Sequence, residues 1–263
     1  MSWFRFAVAI PSLNESFRKA IKRLRDWGVH GAEWDAVGDL APDQLSQSGR
    51  RELRHLLQAN NLQAAGVRVP MAKGLDQPEG LEARMDLVRR ALELAYDVDS
   101  RIVVLDPGTL PEDPASPQYT ALADVLHTLG RYGERVGSVL ALETGATPPM
   151  VWKQLLERLQ SGGLGISLDP ATLVAHGYEP EEAVASLYEH LCYVQAREAR
   201  RGSRQHPAQE VPLGHGHVDW VGLTNALRDA GYRGWLSLKR RPGLTAQRDL
   251  EEGLRFLRRL LGG

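Results

Sequence analysis

Short apolar runs and longer amphipathic stretches alternate along the whole chain. The runs fall at 4–10, 31–35, 63–69, 101–105, 138–143, 163–169, 191–198 and 234–239. Most are continuously apolar rather than alternating, as in strands covered on both faces of a parallel sheet. After each comes a stretch with helical spacing, at 15–27, 51–60, 81–96, 119–136, 149–159, 180–190, 218–230 and 245–261. In the first, Phe17, Ala20, Ile21 and Leu24 form one stripe, Asn14 is placed to cap the start and Gly28 ends it. In the third, Leu81, Met85, Val88, Leu92 and Ala95 do the same. Between the fourth strand and its helix, Pro111, Pro114 and Pro117 keep the chain irregular. No sustained hairpin pattern interrupts the alternation. Strand-helix units of this kind pair in parallel through right-handed crossovers. Eight of them in 263 residues favour closure, so the predicted fold is a single-domain α/β protein, a (β/α)8 TIM barrel over 1–263.

Composition narrows the function. Net charge is -1 with pI near 6.7, so no broad basic field exists for a nucleic-acid backbone. The single cysteine, Cys192, excludes an internal disulfide and suits a cytoplasmic protein. The first apolar run is too short for a secretion signal, and no run approaches the ~18 residues of a membrane span. Cys192 lies near the start of its strand, far from the end where barrels do chemistry, and is expected to be a buried, inert thiol.

The chemistry expected of the chain lies at the C-terminal ends of its strands. The fifth strand runs Val139-Leu140-Ala141-Leu142 into Glu143, and a carboxylate there is costly to bury without a partner. Side chains alternate, so Glu143 points inward if Leu142 faces the helices. The same phase turns Asp169, Gln195, Arg197 and Lys239 inward. Glu33 and Trp34 approach the mouth from the second strand, with Trp34 the tryptophan best placed to stack on a ring; the phase there is left open by the neighbouring Asp35. Arg197, Arg200, Arg201 and Arg204 follow the seventh strand, and Arg240 and Arg241 follow the eighth. Loops in those two places commonly hold phosphate in barrels, and the guanidinium fork suits it. A solvated basic loop offset by Glu198 and Glu210 is the other reading.

Several segments, in order, resemble one family. Gly28-Val29-His30-Gly31-Ala32-Glu33, Leu142-Glu143 and Leu168-Asp169-Pro170-Ala171 are similar to the second, fifth and sixth strand ends of xylose isomerase-like barrels. The segment from Val211-Pro212 to Asp219-Trp220 and that from Gly231-Tyr232 to Lys239 resemble the family's last loop and last strand. The resemblance implies a sugar or sugar-phosphate isomerase or epimerase. Such proteins commonly bind one divalent metal, Mn, Mg or Zn, through Glu, Asp, His and Glu on strands five to eight, and move a proton next to a carbonyl. Here Glu143 and Asp169 match the first two ligands, but Gln195 replaces the histidine and Lys239 the last glutamate. An ammonium repels a metal. Three carboxylates, a neutral histidine and a divalent ion sum to -1; so do Glu143, Asp169 and a protonated Lys239. The expectation is therefore a degenerate metal site in which Lys239 takes the ion's place and neutralises both acids. His215 and His217 offer a rescue as ligands, against the plainer reading of a loop pair. A Schiff base at Lys239 is disfavoured, because neighbouring carboxylates keep the amine protonated.

Glu143 and Lys239 are thus the expected catalytic pair, with Asp169, Gln195, Arg197, Glu33 and Trp34 around the substrate. The expected partner is a small sugar or sugar phosphate, with no nucleic acid and no membrane; relatives are often oligomers, but no patch in the sequence identifies a subunit contact. The alternative is a non-catalytic barrel that binds a small anion. A nuclease of the endonuclease IV type would need a three-metal cluster that this ligand set does not supply.

Overall fold

The structure is a computed structural model that describes residues 3–203 and 205–262. Eight parallel strands close into a barrel: β1 (Arg5–Ala9), β2 (Gly31–Asp35), β3 (Gln63–Arg68), β4 (Ile102–Leu105), β5 (Val139–Glu143), β6 (Leu164–Leu168), β7 (Leu191–Ala196) and β10 (Trp235–Leu238). The order around the barrel is β1-β10-β7-β6-β5-β4-β3-β2, with β2 returning to β1. The helices α1 (Phe17–Asp26), α2 (Gln47–Ala59), α3 (Leu81–Asp97), α4 (Pro117–Val136), α5 (Pro149–Leu159), α6 (Pro170–Ala175), α7 (Pro180–Leu187), α8 (Trp220–Asp229) and α9 (Ala246–Leu260) lie outside. No helix among the described residues is long and apolar enough to cross a membrane.

The barrel has two cores. The larger joins the outward faces of the strands to the helices. The smaller fills the barrel itself with Ala7, Ala65, Val104, Ala141, Tyr193 and Trp235. Two large rings in so narrow a space require small residues opposite. A Cβ on Gly31 would come within 2.7 Å of the Trp235 ring, and one on Gly66 within 3.2 Å of the Tyr193 hydroxyl. These glycines serve close approach rather than turning.

Four local features depart from the sequence reading. Asn14 does not cap α1: it is left-handed (φ 50°) and closes a short 3-10 turn at Ile10–Leu13. Helix α2 begins at Gln47 rather than 51, because the Ser46 side chain accepts from the Gly49 amide; the cap starts the helix before any apolar period is visible. Asp169 caps a short α6 that the pattern did not suggest, accepting from the Ala171 and Thr172 amides. Finally, residues beyond Ala196 leave the barrel. Glu198–Arg200 (β8) and Gln209–Val211 (β9) form a separate antiparallel ribbon, with Ala199 opposite Glu210.

Candidate active site

Register brings the polar residues of the late strands to one level. Glu143 lies beside Ser167, and Ser237 beside Gln195. At that level the Gln195 amide nitrogen donates to Glu143 Oε1 at 2.6 Å and to Ser167 Oγ at 3.2 Å. Its carbonyl oxygen accepts from Lys239 Nζ at 3.0 Å. The amide therefore locks the acid and the ammonium to one another. Lys239 Nζ stands 3.7 Å from the same Glu143 oxygen. So does Arg68 Nε, at the end of β3. Arg68 Nε is buried and makes no hydrogen bond. Its Nη1 is 3.7 Å from Asp35 Oδ1, its register partner on β2.

These cations decide the protonation of the acids. Burial pushes the Glu143 carboxyl up, but the charges of Lys239 and Arg68 and the Gln195 hydrogen bond outweigh it and hold the group below the ordinary range. Burial raises the Asp35 carboxyl, Arg68 opposes this incompletely, and Glu33 adds to the rise. The mouth thus has an ionised acid and, beside the same guanidinium, one more easily protonated. Two acids pushed in opposite directions are the usual arrangement for a base and an acid.

Asp169 does not join Lys239. Its Oδ1 caps α6, while Oδ2 accepts from Thr172 Oγ1 at 3.0 Å and from Arg197 Nη1 at 2.5 Å. The expectation of one ammonium neutralising both acids is corrected: Lys239 and Arg68 serve Glu143, and Arg197 serves Asp169. Sequence alternation gives each side chain a direction but not which of several cations reaches which acid. Arg197 continues to Glu210 on β9, at 2.6 Å from Nη2. The charge of Asp169 raises the Arg197 pKa despite burial.

Glu33 points into the barrel, with Oε2 accepting from Tyr193 Oη at 2.8 Å and Ser237 Oγ at 2.7 Å. Burial and the nearby Glu33 push the Tyr193 hydroxyl well up, so it remains a donor. Trp34 is corrected. With Glu33 and Asp35 facing in, Trp34 faces the helices, edge-on to Phe17 at 5.9 Å and 1% exposed, so it cannot stack on a ligand at the mouth. Burial pushes the Cys192 thiol up to about 12.

The residues present do not fit a divalent metal. Glu143 Oε1 and Asp169 Oδ2 both face cations, and Gln195 turns its nitrogen toward Glu143. His217 does not rescue the site, since its Nδ1 accepts from the Arg201 amide. Among the described residues, no three His, Cys, Asp or Glu side chains are grouped as a metal would need. The basic loops are largely committed as well. Arg200 donates to the His215 carbonyl, Arg201 pairs with Glu179, and Arg240 pairs with Glu210 and Asp249. Arg204 lies outside the described residues.

Sequence reasoning missed Arg68 and left Asp35 aside. Alternation from Glu33 carries Asp35 to the mouth, so that signal was present. Nothing local pointed to Arg68, whose role depends on β3 lying beside β2.

The lowered Glu143 pKa has a sign. A group held below its ordinary 4.5 contributes stability above that pH and loses it as the pH falls through the folded value. Denaturant titrations of the wild type should therefore show an acid limb that is shallower in Glu143→Gln. Identical limbs would contradict the charge assignment.

Comparison with known proteins places this geometry. A family described as xylose isomerase-like TIM barrel matches residues 21–260. An uncharacterized protein of Methanocaldococcus jannaschii is 23% identical over 172 residues, 59% of this chain. The match covers 56% of that curated relative, about half its length. Among solved structures, a xylose isomerase domain protein from Planctomyces limnophilus superposes with a TM-score of 0.87 at 21% identity, over 99% of this chain and 98% of its own. A D-allulose 3-epimerase from Methylomonas sp., solved with D-allulose, gives 0.75 at 18% identity over 98% of each chain. Likeness at these identities is a likeness of fold.

Proposed function

The chain belongs to the xylose isomerase-like TIM barrel family, and from that premise we propose that it binds a small hydroxy-carbonyl compound, a sugar or sugar phosphate, and moves a proton beside the carbonyl without a resident metal. Glu143 is the base. It takes the proton from the carbon next to the carbonyl, the electron pair forms a carbon-carbon double bond, and the carbonyl oxygen gains the negative charge. Lys239 and Arg68 stabilise that charge in place of an ion. Return of the proton to the opposite face of the same carbon gives the epimer; return to the former carbonyl carbon, with the neighbouring hydroxyl passing its proton to the former carbonyl oxygen and becoming the new carbonyl, gives the isomer. Asp35, with its raised pKa, is the second proton carrier. A cytoplasmic setting is part of the proposal, supported by the single unpaired thiol.

The observation that carries this reading is the pair of cations, each 3.7 Å from one Glu143 oxygen, with Arg68 Nε unspent on any hydrogen bond. Fixed donors where charge develops are worth about 10²–10³ in rate each. A panel of sugars and sugar phosphates incubated in heavy water tests it. Deuterium should appear next to the carbonyl of at least one compound, persist after chelator treatment, and fall by about 10²–10⁴ in Glu143→Gln. Loss on chelation with recovery on adding Mn, Mg or Zn would sink the metal-free mechanism. No exchange with any compound that binds would favour the non-catalytic anion-binding barrel, a reading supported by the ion pairs that already occupy Asp169 and Glu210.

A further inference from the structure

Glu210 is surrounded by more positive charge than one carboxylate needs. Its side chain is 6% exposed. It accepts from Arg197 Nη2 at 2.6 Å, from Arg240 Nη1 at 2.8 Å and from the Arg241 amide at 2.9 Å, with Arg241 Nε a further 3.6 Å away. These donors come from the segments that follow the seventh and eighth barrel strands. Two of the guanidiniums have a second anchor: Arg197 keeps Asp169 and Arg240 keeps Asp249. They would hold their positions if Glu210 left. Arg197 Nε is buried and makes no hydrogen bond, so the cluster has a donor to spare. Beside it opens a cavity of about 120 Å³ lined by Thr172, His176, Arg197, Glu210 and Arg241. Glu210 itself sits on a ribbon of three residue pairs, a pairing with little stability of its own.

We propose that the Glu210 carboxylate occupies a preformed site for a phosphate-type oxyanion, held by Arg197, Arg240 and the Arg241 amide, and that such an anion binds by displacing it. Two forks and a backbone N–H make charge-assisted hydrogen bonds to tetrahedral oxygens as readily as to a carboxylate. The internal carboxylate acts as a competitor, so the affinity seen from outside is reduced by the fraction of time the site is free. The inference bears on the ligand class of the proposed function, and binding without turnover tests it separately. Failure of proton transfer leaves it standing, and its failure leaves proton transfer standing.

The experiment is titration of the full chain with inorganic phosphate at fixed ionic strength, followed by calorimetry. Glu210→Gln should bind phosphate at least about tenfold more tightly than wild type. Adding Arg240→Ala to that variant should remove the gain. Equal affinity in wild type and Glu210→Gln overturns the proposal, as does a gain that survives loss of Arg240. If Glu210→Gln does not fold, the wild type decides: phosphate must raise its melting temperature beyond chloride of matched ionic strength, and an equal rise overturns the proposal.

Discussion

Glu198→Ala is expected to lower the unfolding free energy by about 4 kcal/mol. Glu198 is 1% exposed and accepts four hydrogen bonds. Oε1 takes the amides of Ala199 and Val218 at 3.2 and 3.0 Å; Oε2 takes the Gly214 amide at 3.2 Å and the Trp220 indole N–H at 2.8 Å. The carboxylate thus ties β8 to the loop before α8 and to α8 itself. Removing it leaves these donors without partners, and an orphaned buried donor costs about 1–3 kcal/mol. The close fit allows little relaxation, since even a Cβ on Gly216 would lie 2.3 Å from Glu198 Oε1. In a protein of this size the loss corresponds to a fall of about 10 °C in Tm. Calorimetry of the variant checks it; a fall within a degree or two would mean that the loop holds itself in place.

Arg197→Met should cost about 3–5 kcal/mol at neutral pH. The guanidinium joins Asp169 and Glu210, whose side chains are 4% and 6% exposed, and its loss leaves two buried carboxylates short of a counter-charge. The deficit should shrink on acidification. In the wild type, burial raises the Glu210 carboxyl, but Arg197, the Arg241 amide and Arg240 hold it below its ordinary value. That contribution is present above the unfolded-state pKa and disappears as the pH falls through the folded one. Without Arg197 the burial effect is less opposed, so protonation relieves the variant at higher pH than the wild type. Urea unfolding at neutral pH and at about pH 4 measures the difference; a deficit independent of pH would contradict the pairing. Arg197→Lys should recover only part, because an ammonium cannot span both acids as the fork does.

The barrel was legible because its signal is repeated and local. Each strand announces itself by an apolar run and each helix by its stripe, and burial of both strand faces leaves little freedom in how they assemble. The inward phase of Glu143, Asp169, Gln195 and Lys239 also followed from the chain alone, since alternation along a strand is fixed by backbone geometry. The same rule applied to Glu33 turns Trp34 outward, where Phe17 receives it.

The pairing of charges was decided elsewhere. Arg68 reaches Glu143 because β3 and β5 flank β4 in the closed barrel, and the 74 residues between them in the chain carry no trace of that proximity. Asp169 finds Arg197 rather than Lys239 because a short helix turns its other oxygen away and the guanidinium has the longer reach. Glu210 meets three arginines only through a ribbon that forms outside the barrel. Periodicity is a property of neighbours along the chain and is written in sequence. Which cation lies against which acid depends on distances between strands remote in sequence, and Coulomb energy at those distances, not residue type, selects the partners.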